Sequence, residues 1–176
     1  MMSERLPVEE TNIDGYGAHI IQWTAVREVL SAQHPPEVPF FLGTIRPDGR
    51  PHAVGIGPIW LDGDMYFSCG LQSQKAKNLA ANPACTLSTR LPGFDVTIEG
   101  TAARLDDPVI LARVAAQFVS GGWPAEVQGE ALTAPYSAPS AGPPPWHVFR
   151  LRFGTVVALA LSGDGGATRW RFEALD

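Results

Sequence analysis

Lysine is almost missing from this chain of 176 residues, occurring only at Lys75 and Lys77, whereas arginine occurs eleven times. Positive charge as a whole is scarce: 13 Lys+Arg stand against 18 Asp+Glu, a net charge of −5. That balance excludes a dedicated binder of nucleic acid or of an anionic membrane surface, either of which needs a basic patch. Long hydrophobic runs are missing too. No stretch approaches the roughly 18 uncharged apolar residues of a membrane-spanning helix. The opening MMSERLPVEET lacks the basic-then-apolar layout of an export signal, so a cytoplasmic setting is expected. Cysteine is limited to Cys69 and Cys85, without the companion pair of a zinc site, and a reducing compartment predicts two buried free thiols. His19, His34, His52 and His147 are isolated from one another, so no metal ligand set is expected.

At 45% apolar the chain is rich enough for a core, and its length fits one domain by the prior of about 150 residues each. Residues 1–18, polar and without sustained period, read as an arm; 19–176 read as a single domain. Apolar residues at Val26, Val29 and Leu30 predict a helix over 24–33, stopped by Pro35-Pro36. Three strands follow at 39–46, 51–60 and 65–68, joined by turns at Asp48-Gly49 and Asp62-Gly63, which makes an antiparallel meander. Ser73 caps a helix predicted over 74–82 that Pro83 ends. Strands are predicted at 84–89 and 94–105. Asp106 or Asp107, with Pro108, starts a third helix that Gly121-Gly122 ends. Residues 121–145 are Pro-rich and read as a long loop of functional or partner-covering kind. Strands at 147–161 and 167–173, with a turn at 163–166, close the chain. About seven mostly antiparallel strands and three short helices that do not alternate with them predict a mainly β fold, a small barrel with helices at its ends.

The common catalytic signatures fail. Around Ser68 the run Tyr66-Phe67-Ser68-Cys69-Gly70 supplies half a nucleophile elbow. Gly55-Ile56-Gly57 meets Trp60 where a dinucleotide fingerprint needs its third glycine, and neither lysine follows glycine as in a phosphate loop. No side chain is thereby assigned as a catalytic acid, base or nucleophile. The informative run is Ser73-Gln74-Lys75-Ala76-Lys77-Asn78-Leu79. A serine-capped helix start directly after a strand offers unpaired N–H groups and the positive dipole end, and a first-turn lysine adds a full charge. Residues two apart on a helix point about 200° apart, so one lysine at most faces an anion there, and Lys75 is the nearer. The competing explanation is an ordinary solvated helix start.

Four pieces, in order, resemble the pyridoxamine 5′-phosphate oxidase-like, FMN-binding split-barrel superfamily, which includes relatives that use the deazaflavin F-420. They are Pro47-Asp48-Gly49-Arg50-Pro51-His52, Met65-Tyr66-Phe67-Ser68, the run from Ser73 to Asn82-Pro83, and Glu99-Gly100-Thr101-Ala102. The closing Ala167-Thr168-Arg169-Trp170-Arg171-Phe172 resembles the last strand of the same family, and the 121–145 insertion resembles one actinobacterial branch. The resemblance implies a six- to seven-stranded antiparallel split β-barrel that forms a homodimer, with cofactor sites between subunits. It implies FMN or F-420 as cofactor, on equal terms, and hydride exchange with a small organic substrate. Lys75 maps to the phosphate grip, with Ser73, Gln74 and His52 beside it; Ser68 and Gly70 lie where backbone runs under the ring. Asp95 aligns with a ring-edge contact, Arg171 with a cofactor contact and Arg169 with a substrate contact. Gln74 and His52 stand where the type oxidases carry arginines, and Ala167 replaces a further contact, which argues against vitamin B6 oxidation itself. The ordinary alternatives are an Arg171 paired with a surface carboxylate, an outward-facing Asp95, and tryptophans that only pack. The rival function is a non-catalytic flavin, deazaflavin or haem carrier.

Overall fold

The computed structural model describes residues 5–163 and 165–173. The elements run β1 (Glu9–Asn12), α1 (Trp23–Ser31), β2 (Phe40–Ile45), β3 (Pro51–Ile56), β4 (Ile59–Leu61), β5 (Asp64–Cys69), α2 (Gln74–Ala81), β6 (Ala84–Leu91) and β7 (Phe94–Arg104). Then come α3 (Pro108–Ser120), β8 (Glu126–Gln128), β9 (Ala131–Thr133), β10 (His147–Ala160) and β11 (Ala167–Arg171). All these strand pairings are antiparallel, in the order β1-β11-β10-β7-β6-β2-β3, with β5 joined to β10 and β4 to β5. This is the mainly β split barrel expected.

The split comes from β10. One of its edges pairs with β7 along its length, from Phe149 to Ala160. Its other edge is shared: His147–Leu151 pair with β5, and Thr155–Leu159 pair with β11. The register shifts between Phe153 and Thr155, at Gly154, and such a bulge bends a strand enough to serve two partners. Opposite lies Gly100, where a side-chain carbon would run into the backbone carbonyl of Arg152. Only glycine allows that approach.

Alternation along β5 buries it on both faces. Met65 and Phe67 enter the barrel with Leu42, Leu87, Ile98, Leu151, Val156 and Trp170. Tyr66 faces out into a second apolar cluster with Leu111, Val114 and Phe118 of α3 and Leu132 of β9. α1 packs Trp23, Val26 and Leu30 into the barrel core, with the Trp23 ring 5.6 Å from Trp170 and 4.9 Å from Phe172. Asp64 is 1% exposed and is gripped by Arg150 at 2.6 Å and Arg5 at 3.3 Å, a buried ion cluster with no sequence signature. Both cysteines are buried free thiols.

Three predicted elements differ. The arm contains β1, which pairs with β11 from Glu9↔Arg171 to Asn12↔Thr168; an edge strand of polar residues carries no hydrophobic period to betray it. The run 51–60 is two strands, because Pro58 has no N–H to continue a ladder. The 121–145 loop holds the β8–β9 hairpin, turned at Gly129 with φ 62°, and Leu132 exchanges both backbone hydrogen bonds with Trp146 at 2.8 and 2.9 Å. Strands of three residues are too short to show a pattern. The turn expected at 163–166 includes residue 164, which lies outside the described residues, as do residues 1–4 of the arm.

Candidate functional site

Where β5 ends, Cys69-Gly70 turns the chain and α2 begins. Gly70 accepts from the Ser73 N–H at 3.0 Å, and the Ser73 hydroxyl accepts from the Ala76 N–H at 3.4 Å. The Lys77 N–H reaches the Ser73 carbonyl at 3.1 Å. The N–H groups of Gln74 and Lys75, at the first turn, have no intrahelical acceptor. Lys75 is half-buried and lines a cleft of about 560 Å³, whereas Lys77 is exposed and does not line it. The two lysines diverge as the helix period requires.

The α2 start is held from behind by buried polar groups. Gln74 Nε2 donates to Asn78 Oδ1 at 2.8 Å, and Asn78 Nδ2 donates to Thr44 Oγ1 at 2.9 Å. Thr44 Oγ1 lies 3.4 Å from His52 Nδ1, its cross-strand partner on β3. Asn78 is fully buried and Thr44 nearly so. His52 is pushed below the usual histidine range by burial and then by the charges of Arg46 and Lys75. Burial holds the Cys69 thiol up, opposed by a hydrogen bond with Ser73 and the charge of Lys75, so the thiol stays protonated near neutral pH.

The remaining cleft wall is apolar and aromatic. Trp60 comes from β4, Ile56 from the end of β3 and Pro58 from the β3–β4 turn. Phe118 of α3 stands edge-on to Trp123, with ring centroids 5.1 Å apart. The inserted segment closes one side: Trp123 Nε1 donates to the Tyr136 carbonyl at 2.7 Å, and the Tyr136 hydroxyl donates to the Gly122 carbonyl at 3.2 Å. Residues 137, 138, 140 and 141 continue that wall, and the Ala141 carbonyl lies 3.8 Å from where a Gly70 side chain would begin.

The structure therefore brings Ser68, Gly70, Ser73 and Lys75 onto one cleft. Gln74 and His52 stand beside it, tied through Asn78 and Thr44. Asp95, Arg169 and Arg171 do not line it. Asp95 accepts two hydrogen bonds from Arg90 at 2.6 and 2.8 Å, at the β6–β7 turn. Arg169 and Arg171, on β11, lie 3.8 and 3.6 Å from Glu9 of β1. Sequence reasoning missed Gln33, His34 and Gln117, which also line the cleft. They come from the ends of α1 and α3, distant in sequence from every motif, and no local signal marks them. Among the described residues, no cluster of three or more metal-ligating side chains occurs.

The fold is a split barrel whose serine-capped α2 start opens on an aromatic cleft. The pyridoxamine 5′-phosphate oxidase family model matches residues 24–159, and the chain belongs to that family. No curated protein matches the chain. Solved structures share its fold at low identity. General Stress Protein 26 from Bacillus anthracis is 14% identical, with TM-score 0.53 over 77% of this chain and 91% of that one. An F-420 reductase is 19% identical, with TM-score 0.51 over 74% and 94%. A heme binding protein from Mycobacterium smegmatis is 17% identical, with TM-score 0.56 over 84% of this chain and 59% of that one. No helix among the described residues is long and apolar enough to cross a membrane.

Proposed function

We propose that the protein is an oxidoreductase that binds FMN or F-420 in this cleft and acts on a small organic substrate. The observation that carries the proposal is Lys75 at the serine-capped start of α2, opening onto an aromatic-walled cleft of about 560 Å³. Cofactor pockets typically measure about 300–1,000 Å³ and are mostly apolar with a few placed polar groups. The residues fit an anionic group joined to a flat ring. The Lys75 ammonium and the free first-turn N–H groups would hold the anion, and the Ser68–Gly70 backbone would lie along the ring. When bound, a flavin or deazaflavin supplies hydride exchange with the substrate. The chain's own part is to anchor, to orient and to keep water from the ring with Trp60, Phe118 and Trp123. No carboxylate lines the cleft among the described residues.

One cation is a thin grip for a phosphate, and Arg169 and Arg171 lie outside this chain's own cleft. A homodimer with the sites at its interface would let a second copy supply what one chain lacks. The outward Phe41 and Ile45 of β2, 51% and 38% exposed, give apolar surface for that contact. Two reduced, buried thiols agree with a cytoplasmic setting. The test is the absorption spectrum of the purified protein, followed by titration with both coenzymes. Micromolar binding of one, weakened about tenfold or more by Lys75→Ala, is expected from the loss of a charge-assisted bond. If neither binds at micromolar levels and Lys75→Ala changes nothing, the oxidoreductase proposal fails. A Soret band would favour the haem carrier instead.

A further inference from the structure

Two groups of residues line the cleft. One gathers Ser68, Gly70, Ser73 and Lys75 at the start of α2. The other gathers where α1 and α3 end side by side: Gln33 Nε2 donates to the Ser120 carbonyl at 2.9 Å and so joins the two helix ends. This second group has no part in holding an anion.

Its electrostatics are distinctive. Among the described lining residues Lys75, in the other group, is the single permanently charged one, and there is no carboxylate or guanidinium. The remaining titratable base is His34, which burial pushes below the usual histidine range, opposed by hydrogen bonds to the backbone of Leu30 and Val29. His34 is therefore neutral at physiological pH. An ion seated against Phe118 and Trp123 would give up part of its hydration and gain no opposite charge from the described lining residues, a cost that the exposure of Gln33, Gln117 and Tyr136 keeps modest.

Its walls are flat. Phe118 and Trp123 meet edge-on, with an interplanar angle of 88°, and Trp60 and the Pro36 and Pro58 rings add apolar surface. Aromatic side chains contribute most to burial when they stack on or edge against another ring. The Trp123–Tyr136 clasp fixes this wall before any ligand arrives, which lowers the ordering cost of binding. Its polar groups are amides. The Gln33 amide is oriented by its bond to Ser120, leaving its oxygen as an acceptor, and α3 adds the exposed side-chain amide of Gln117.

We propose that the cleft end formed by Gln33, Gln117, Phe118, Trp123 and Tyr136 is a subsite for an uncharged, flat aromatic molecule carrying an amide-like or carbonyl group, and that it disfavours anions and cations alike. This names the substrate class for the oxidoreductase proposed above and rests on that proposal for its chemistry, though not for its binding.

The test is calorimetric titration of the full-length protein with three isosteric probes: naphthamide, naphthoate and naphthylmethylammonium. Each is measured before and after saturation with whichever coenzyme binds. Naphthamide is expected to bind about two- to fivefold tighter than either ion, since a partly desolvated charge with no partner among the described lining residues is disfavoured while the neutral amide is not. It is expected to bind with the coenzyme in place. Gln117→Ala, an exposed helical position that tolerates alanine, should weaken naphthamide about two- to tenfold, the worth of one neutral hydrogen bond. Lys75→Ala should leave naphthamide affinity within about twofold while weakening the coenzyme, because the cation belongs to the other group. Naphthoate or the ammonium binding as tightly as naphthamide would overturn the proposal. So would displacement of naphthamide by the coenzyme, an indifferent Gln117→Ala, or no naphthamide binding. Selective naphthamide binding by a protein that takes neither coenzyme would keep the subsite and remove the oxidoreductase proposal. Coenzyme binding without probe selectivity would do the reverse.

Discussion

Replacing Asn78 by alanine tests whether the α2 start is held in place by the polar groups behind it. Asn78 is fully buried, and its amide both accepts from Gln74 and donates to Thr44. Alanine removes two hydrogen bonds, each worth about 0.5–1.5 kcal/mol, and leaves the buried Thr44 hydroxyl without its donor. Thr44 retains His52 as a partner, so the added penalty stays at the low end of about 1–3 kcal/mol for an unsatisfied buried group. The sum is a loss of about 2–4 kcal/mol. In a chain of this size each kcal/mol moves Tm by about 2–4 °C, so a fall of roughly 4–16 °C is expected. Urea unfolding followed by tryptophan fluorescence measures the free energy, and the double variant with Thr44→Val separates the pair from its surroundings. Valine removes the orphaned hydroxyl, so the double variant should lose less than the two single losses added, by about 1 kcal/mol. Additive losses, or an Asn78→Ala loss below about 0.5 kcal/mol, would refute the claim that these bonds brace α2. The variant should also bind coenzyme more weakly, since Lys75 sits one residue beyond the braced Gln74.

Asp64→Asn should cost about 3–5 kcal/mol by urea unfolding, because it leaves Arg5 and Arg150 facing a neutral group in a buried site; a loss under 1 kcal/mol would show the carboxylate to be dispensable. Gly100→Ala should prevent or severely weaken folding, since its side chain meets the Arg152 carbonyl, whereas Gly55→Ala, with open space around it, should melt near wild type. Asp107→Ala should cost about 1 kcal/mol through the lost cap on the Val109 and Ile110 N–H groups. Stability should also fall on mild acidification. His34, His52 and His147 all sit below the usual value of 6.5 in the folded state, first through burial. Below that value the unfolded chain binds protons that the folded one refuses, so stability is intact above pH 6.5 and drops as pH falls through the folded values. His34→Gln should flatten that slope in urea midpoints taken from pH 7 downward.

What the sequence revealed and what it hid divide along a physical line. Strong local chemistry was legible. Asp48-Gly49 and Asp62-Gly63 turn the meander, with Asp62 at φ 53° and Gly63 at 87°. Ser73 and Asp107 cap their helices as their residue types predict. Anything made by distant segments was silent. Asp64 reads as a turn residue until Arg150, far along the chain, closes on it. Gln33 and Gln117 are ordinary surface residues in sequence and become neighbours in a cleft because α1 and α3 end at one place. β1 is visible only through its partner β11, and the β8–β9 hairpin only through Leu132 and Trp146.

The same division explains how a chain so poor in lysine could hold the anion proposed for the start of α2. A grip made at a helix start needs few charged side chains, since the backbone supplies unpaired N–H groups and the dipole concentrates at that end. Its strength depends on where α2 points, and that is set by β5 leading into it and by Asn78 bracing it against β2. β5 is in turn fixed because β10 divides one edge between two partners, which leaves His147–Leu151 to hold β5 and opens the barrel beside the cleft. Position here replaces charge. It follows that a substitution at Gly100, far from any lining residue, should impair anion binding wherever the protein still folds. Adding a second cation, Gln74→Arg, should strengthen it only while Asn78 remains. If Gln74→Arg strengthened coenzyme binding equally in the Asn78→Ala background, placement of α2 would not be what limits the site.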